Sequence, residues 1–138
     1  MMTAISILSV SMSIYRLLAG RFLSLVMNML IWNSAQHMWI EEEGEVICYL
    51  RINSPGTKFD EPSLGRIVTK ATHRSQGLAA QLIDEGLKVI QESYGRPTMI
   101  SAQSHLQDYY GTFGFETCSE EYLEDDIPHV NMIRHAKD

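Results

Sequence analysis

Residues 66–80, RIVTKATHRSQGLAA, join a short apolar strand to an amphipathic helix through a basic turn that contains glycine. Those residue types in that order can hold a phosphate. The first N–H groups of a helix lack intrahelical partners and carry the positive end of the aligned peptide dipoles, so an anion can be bound largely by main chain. Gly77 lets the backbone approach such a ligand with no Cβ in the way. The chain has a net charge of −6, yet no acid lies between Ser63 and Ile83, while Arg66, Lys70 and Arg74 are all basic. A cationic island in an acidic protein suits an anionic ligand. An ordinary strand-turn-helix corner with solvated bases reads the same way, since short glycine motifs recur by chance.

The elements that must position this turn follow from hydrophobic period. From Ala79 the apolar residues recur as Leu82, Ile83, Leu87 and Ile90, with Gln81, Asp84, Glu85, Lys88, Gln91 and Glu92 on the other face, which predicts a half-buried helix. Gly95 and Pro97 supply its stop. Upstream, residues 38–40 and 46–52 read as strands joined at Gly44, the second with Val46, Cys48, Leu50 and Ile52 on one face. A polar loop over 53–62 leads to a strand at 64–69. After the helix come a strand at 98–103 and a short second helix from Ser104 to about Gly111, with Ser104 and Gln107 at capping-box spacing. Closing strands over 113–118 and 129–134 flank an acidic loop at 119–128. Glu120, Glu121, Glu124, Asp125 and Asp126 in that loop would suit a cationic ligand, although a charge run between strands is more often simply solvated.

Length and composition bound the class. A chain of 138 residues with 45% hydrophobic and 20% charged content is expected to form one domain with a single core. Its acidity and lack of a Lys/Arg run argue against nucleic acid as a partner. Cys48 and Cys118 have neither CxxC nor metal-ligand spacing, so both read as buried, reduced thiols of a cytoplasmic protein, with no metal expected.

The first 40 residues contain no Asp or Glu, carry only Arg16 and Arg21 as full charges, and hold six of the eight methionines. The arginines split the apolar run into pieces shorter than the ~20 residues a bilayer crossing needs. No basic stretch precedes the apolar run as in a secretory signal, whereas an organelle presequence remains an open alternative. The favoured expectation is a buried helix over 13–31 packed on the sheet, within a divergent helical segment at 1–35.

Two motifs in order carry a family resemblance. Arg74-Ser75-Gln76-Gly77-Leu78-Ala79 fits the Q/R-x-x-G-x-G/A signature of GNAT-type N-acetyltransferases, and Tyr109-Tyr110-Gly111-Thr112-Phe113-Gly114-Phe115 resembles the FY-x-x-x-GF ending of the helix after the next strand. More narrowly, AQSHLQDYYGTFGF followed by EYLEDDIPHVNM is similar to the ElaA-like branch, over about residues 36–135. The resemblance implies an α/β (α+β) fold with a mixed, mostly antiparallel sheet. That sheet has a V-shaped split between the strands at 64–69 and 98–103 and helices on both faces.

It also implies acetyl-CoA as co-substrate. Ile67, Val68 and Thr69 would offer backbone groups to the pantetheine arm. The N–H groups of Ser75, Gln76, Gly77, Leu78, Ala79 and Ala80 would hold the pyrophosphate, with Arg74 adding charge. Tyr110 would lie near the thioester sulfur.

The implied reaction is direct attack of a neutral amine on a thioester carbonyl. It requires a base for the ammonium proton, donors for an oxyanion and an acid for the leaving thiolate. Tyr110 suits the acid, its ordinary pKa being near that of a thiolate, unless it is only a core aromatic beside Phe113 and Phe115. His105, near the split, and His129, in IPHVNM, are the candidate bases. Either histidine could instead be purely structural, with a water chain to a carboxylate serving as base. The VFVVEQ-like stretch that shapes the acceptor side in ElaA-like proteins has no counterpart here, so the amine acceptor, small molecule or peptide, stays unnamed. A homodimer is common for this fold. A non-catalytic acyl-CoA-binding module, or a GNAT-like fold tethered by its N-terminus to a partner or membrane surface, are the readings from other classes.

Overall fold

A computed structural model describes residues 9–10, 16–18, 21–23, 25–32 and 35–137. Its strands are β1 (Ser9–Val10), β2 (Arg16–Leu18), β3 (Arg21–Leu23), β4 (Leu25–Trp32), β5 (Ala35–Glu42), β6 (Glu45–Asn53), β7 (Ser63–Thr69), β8 (Thr98–Gln103), β9 (Glu116–Thr117), β10 (Tyr122–Glu124) and β11 (Ile127–Arg134). The α-helices are α1 (Leu78–Ser93) and α2 (Gln107–Gly111). The main sheet runs β1-β4-β5-β6-β7-β8-β11-β10, with β9 also on β11, while β2 and β3 pair apart from it.

The β5–β6 hairpin turns at Glu43 and Gly44, with φ of 49° and 81°, the two left-handed residues that a tight hairpin demands. Its pairing slips between Ile40 and Glu41, so Ile47 is an extra residue that breaks the alternation. The expected face therefore holds for Cys48, Leu50 and Ile52, whereas Val46 is 50% exposed and Ile47 is buried. On α1 the predicted stripe is buried together with Leu78 and Val89. Glu85, expected on the polar face, is also buried and accepts a bond from Lys88 Nζ at 3.3 Å. A Cβ on Gly86 would stand 3.3 Å from Leu64 Cδ2 and 3.6 Å from Leu50. Glycine thus lets α1 lie close on β6 and β7.

The helix expected over residues 13–31 is corrected. Of that range, residues 13–15, 19–20 and 24 lie outside the described residues, and the remainder is strand. An apolar run without a 3.6-residue period serves a strand as well as a buried helix. β4 is a strand, flanked by β1 and paired with β5 over its whole length from Leu25↔Glu42 to Trp32↔Ala35. Among the described residues no helix is long and apolar enough to cross a membrane.

β7 and β8 are the parallel pair, and their register is a single pairing, Ser63↔Met99, next to a bond from Met99 N–H to Pro62 O at 2.9 Å. Beyond it the strands part. On the far side β8 is fully paired with β11, from His129↔Gln103 to Arg134↔Thr98. The acidic loop is partly ordered as β10, which folds back on β11 across Asp125 and Asp126, at φ of 54° and 64°. Cys48 is buried as expected, but Cys118 is exposed. Its N–H is fixed to Asn131 O at 2.8 Å just past the end of β9, and the side chain is left outside the core.

Candidate active site

The turn into α1 is built for backbone donation. Ser75 and Gly77 both adopt left-handed φ, 66° and 75°, on either side of Gln76. No side chain caps the helix and its first turn holds no acid. Because α1 begins at Leu78 and its first internal bond runs from Gln81 N–H to Gly77 O at 3.1 Å, the N–H groups of Leu78, Ala79 and Ala80 are left for a ligand. No atom lies within 4 Å of a Cβ built on Gly77, so its positive φ is what demands glycine there. Leu78 contributes only main chain, since its side chain is 2% exposed in the core.

The cationic island divides. Lys70 is bound to Glu45, and His73 Nε2 meets Glu42 at 2.8 Å. Arg74 donates to Thr69 O at 3.2 Å and so stays beside the cradle. Arg66 instead lines a cavity in the split.

Before the cradle, β7 carries a bulge. Tyr49 pairs with Val68 and Arg51 with Gly65, so Leu50 faces two residues, Arg66 and Ile67. Arg66 sits at φ 56°, a left-handed conformation that costs a non-glycine residue roughly 1–2 kcal/mol. Such bulges interrupt the ladder and free backbone groups beside active sites. Ile67 lines the cavity, Val68 is 54% exposed, and Thr69 Oγ1 contacts Cys48 Sγ at 3.5 Å.

The cavity, about 460 Å³, opens where β7 and β8 diverge and is lined by Ile67, Ser101, Tyr110, Glu124 and His129 among others. Tyr110, at the end of α2, packs edge-on against Tyr109 and Phe115, with centroids at 5.2 and 6.2 Å. Burial, and less so Tyr109, pushes its pKa up to about 12. His129 is buried, and its Nδ1 lies 2.7 Å from Ile127 O. A carbonyl only accepts, so Nδ1 carries the hydrogen and the lone pair of a neutral ring is on Nε2. That atom lies 4.0 Å from Glu124 Oε2. Glu124 Oε1 accepts from Ser101 Oγ at 3.0 Å and from Lys58 at 3.5 Å. Burial opposes the Glu124 charge, but the Ser101 bond, Lys58 and His129 together outweigh it and hold the carboxyl below its usual range. The Tyr122 hydroxyl lies against Ser101 Oγ and donates to Asn131 Oδ1 at 2.7 Å.

The raised Tyr110 pKa has a testable sign. The folded protein binds this proton more tightly than the unfolded chain, so the contribution is complete below pH 10 and is lost as pH rises toward 12. Two pH units correspond to about 3 kcal/mol. Urea unfolding of wild type should show this extra loss between those pH values, and Tyr110→Phe should lack it. Equal slopes would place Tyr110 in a wetter site.

The structure thus brings Ile67, Tyr110 and His129 to one cavity. His105 does not join them: it is exposed on the 3-10 turn Ser104–Leu106, outside the lining. The expected capping box is also absent, because Gln107 Nε2 donates to the Ser104 carbonyl at 2.9 Å and Ser104 Oγ is buried without a partner. Glu124, Ser101, Lys58, Arg51 and Arg66 line the cavity without having been singled out as a set. For Glu124 a signal existed in YLE-DD-IPHVNM, where two turn-forming acids separate two strand-like runs.

Comparison with known proteins agrees with this fold. Residues 22–135 match the acetyltransferase (GNAT) domain family. Protein ElaA of Escherichia coli is 30% identical over 102 residues, 73% of this chain and 67% of ElaA. Its crystal structure superposes with a TM-score of 0.69 at 28% identity, covering 75% of this chain and 70% of that one. An acyl-CoA N-acyltransferase from Pseudomonas aeruginosa gives the same TM-score at 39% identity, covering 72% and 68%. A UPF0039 protein of Synechocystis is 33% identical over 90 residues, 64% of this chain and 58% of that protein. The chain therefore spans 58% and 67% of the length of the Synechocystis and E. coli relatives.

Proposed function

The chain belongs to the GNAT acetyltransferase family, and from that premise we propose that it transfers an acetyl group from acetyl-CoA to a primary amine by direct attack in a ternary complex. The observation that carries this reading is one cavity in the strand split lined both by His129, whose Nε2 is left as a proton acceptor, and by the half-buried phenol of Tyr110. Among the described residues none hydrogen-bonds the Tyr110 hydroxyl.

Acetyl-CoA fits the residues present. The capless start of α1, with two left-handed turn residues and a flanking arginine, suits a pyrophosphate, and the bulged strand leads from it into the cavity. When bound, acetyl-CoA supplies the activated acyl group. His129 Nε2 takes the proton of the incoming amine, and Glu124 at 4.0 Å compensates the imidazolium. N–H groups freed at the bulge serve as donors where negative charge develops on oxygen. Tyr110 holds its proton tightly and so acts first as a hydrogen-bond donor to sulfur. It gives the proton up only to a thiolate equally desolvated by the same walls.

Neither cysteine is placed as an acyl carrier, Cys48 being buried against Thr69 and Cys118 exposed on the outer surface. After a single turnover quenched with acid, mass spectrometry should find the acetyl group on the amine and none on the protein. An acetylated protein that decays at the rate of product formation would overturn direct attack.

A further inference from the structure

The walls of the cavity separate charge. Arg51 and Arg66 stand on the β6–β7 side, while Glu124 and Asp125 stand on the β10–β11 hairpin with Lys58 paired to Glu124. The three cations and two carboxylates leave one net positive charge. Neither arginine has a carboxylate partner among the described residues, and Arg51 Nε is buried with no hydrogen-bond partner among them. Leaving such a donor unsatisfied costs stability, more so on a charged group. No Asp or Glu precedes Glu41 in the sequence. Leu50 and Ile52 pack into the core on the α1 side, so strand alternation turns Arg51 to the opposite face. Arg66 is brought to the same cavity by its strained φ of 56°, and strain of this kind accompanies function.

We propose that the acceptor is an amino-carboxylate: Arg51 and Arg66 hold its carboxylate while its amine faces His129. This rests on the acetyl-transfer reading. Guanidinium forks match carboxylate geometry, and a single residual positive charge balances a monoanion better than a phosphate dianion beside Glu124 and Asp125.

The test compares acetyl-CoA-dependent thiol release with β-alanine and glycylglycine against their carboxamides, with phosphoethanolamine as a third arm. At least one carboxylate should be used with kcat/KM about tenfold or more above that of its amide. In Arg51→Gln the carboxylate-to-amide ratio should fall about tenfold or more, mainly through the KM of the carboxylate. The exposed Arg66→Gln is the second variant, and the carboxylate-to-amide ratio within each variant does not depend on the fraction folded. Amides used as well as acids, a preference that survives both substitutions, or preferential use of phosphoethanolamine overturns the inference while leaving acetyl transfer intact. No thiol release with any amine overturns the acetyl-transfer reading itself, and the inference with it.

Discussion

Replacing Tyr110 by phenylalanine is expected to lower kcat about a hundredfold or more while acetyl-CoA affinity, measured by calorimetry, changes less than about threefold. The ring is retained, so its edge-on packing against Tyr109 and Phe115 persists, and the cradle proposed for the phosphates lies on a different element. What is lost is the donor that meets charge on sulfur, an interaction made mainly in the transition state, which registers in kcat. Because the Tyr110 pKa lies at about 12, the phenol stays protonated throughout the assay range, and the deficit should be the same at every pH. A loss that appears only in acetyl-CoA binding would make Tyr110 a packing residue.

Replacing His129 by glutamine is expected to lower kcat/KM for the amine about a hundredfold near neutral pH, with a different signature. The substituted side-chain amide keeps a polar group in the cavity, but it cannot accept a proton from an ammonium group. The remaining activity must come from amine that has already lost its proton to water. The deficit should therefore shrink as the pH approaches the pKa of the amine itself. His105→Gln, an exchange on the exposed turn outside the cavity, should change kcat/KM less than about threefold. A fixed deficit for His129→Gln at all pH values would mean that His129 only positions β10 and β11.

Much of this arrangement was legible in the residues because local signals and tertiary structure agreed. The 3.6-residue stripe of α1 is the face it buries, Glu43-Gly44 makes the tight turn that its composition suggests, and residues 98–103 form a strand as read. The N-terminal strands are not legible because Leu25–Trp32 is apolar except at Asn28, and only pairing with β1 and β5 decides between helix and strand. The bulges opposite Leu50 and at Ile47 leave no mark, since neither Arg66 nor Ile47 is a residue that favours one. The choice between His105 and His129 could not be made from type or spacing. It depends on the antiparallel register of β8 and β11, which sets His129 opposite Gln103, and on the β10 hairpin that brings Glu124 alongside. Arg51 is not distinguishable for a related reason: only its buried, unpartnered Nε separates it from any other charge on a strand.

The most direct test of the account is release of free CoA from acetyl-CoA by the wild-type chain across a panel of primary amines, with acetyl-CoA binding measured on the same preparation. Acetyl transfer predicts saturable binding and, with at least one amine, thiol release matched one for one by acetylated product. Tight binding with no thiol released by any amine would contradict it and leave an acyl-CoA-binding module in its place.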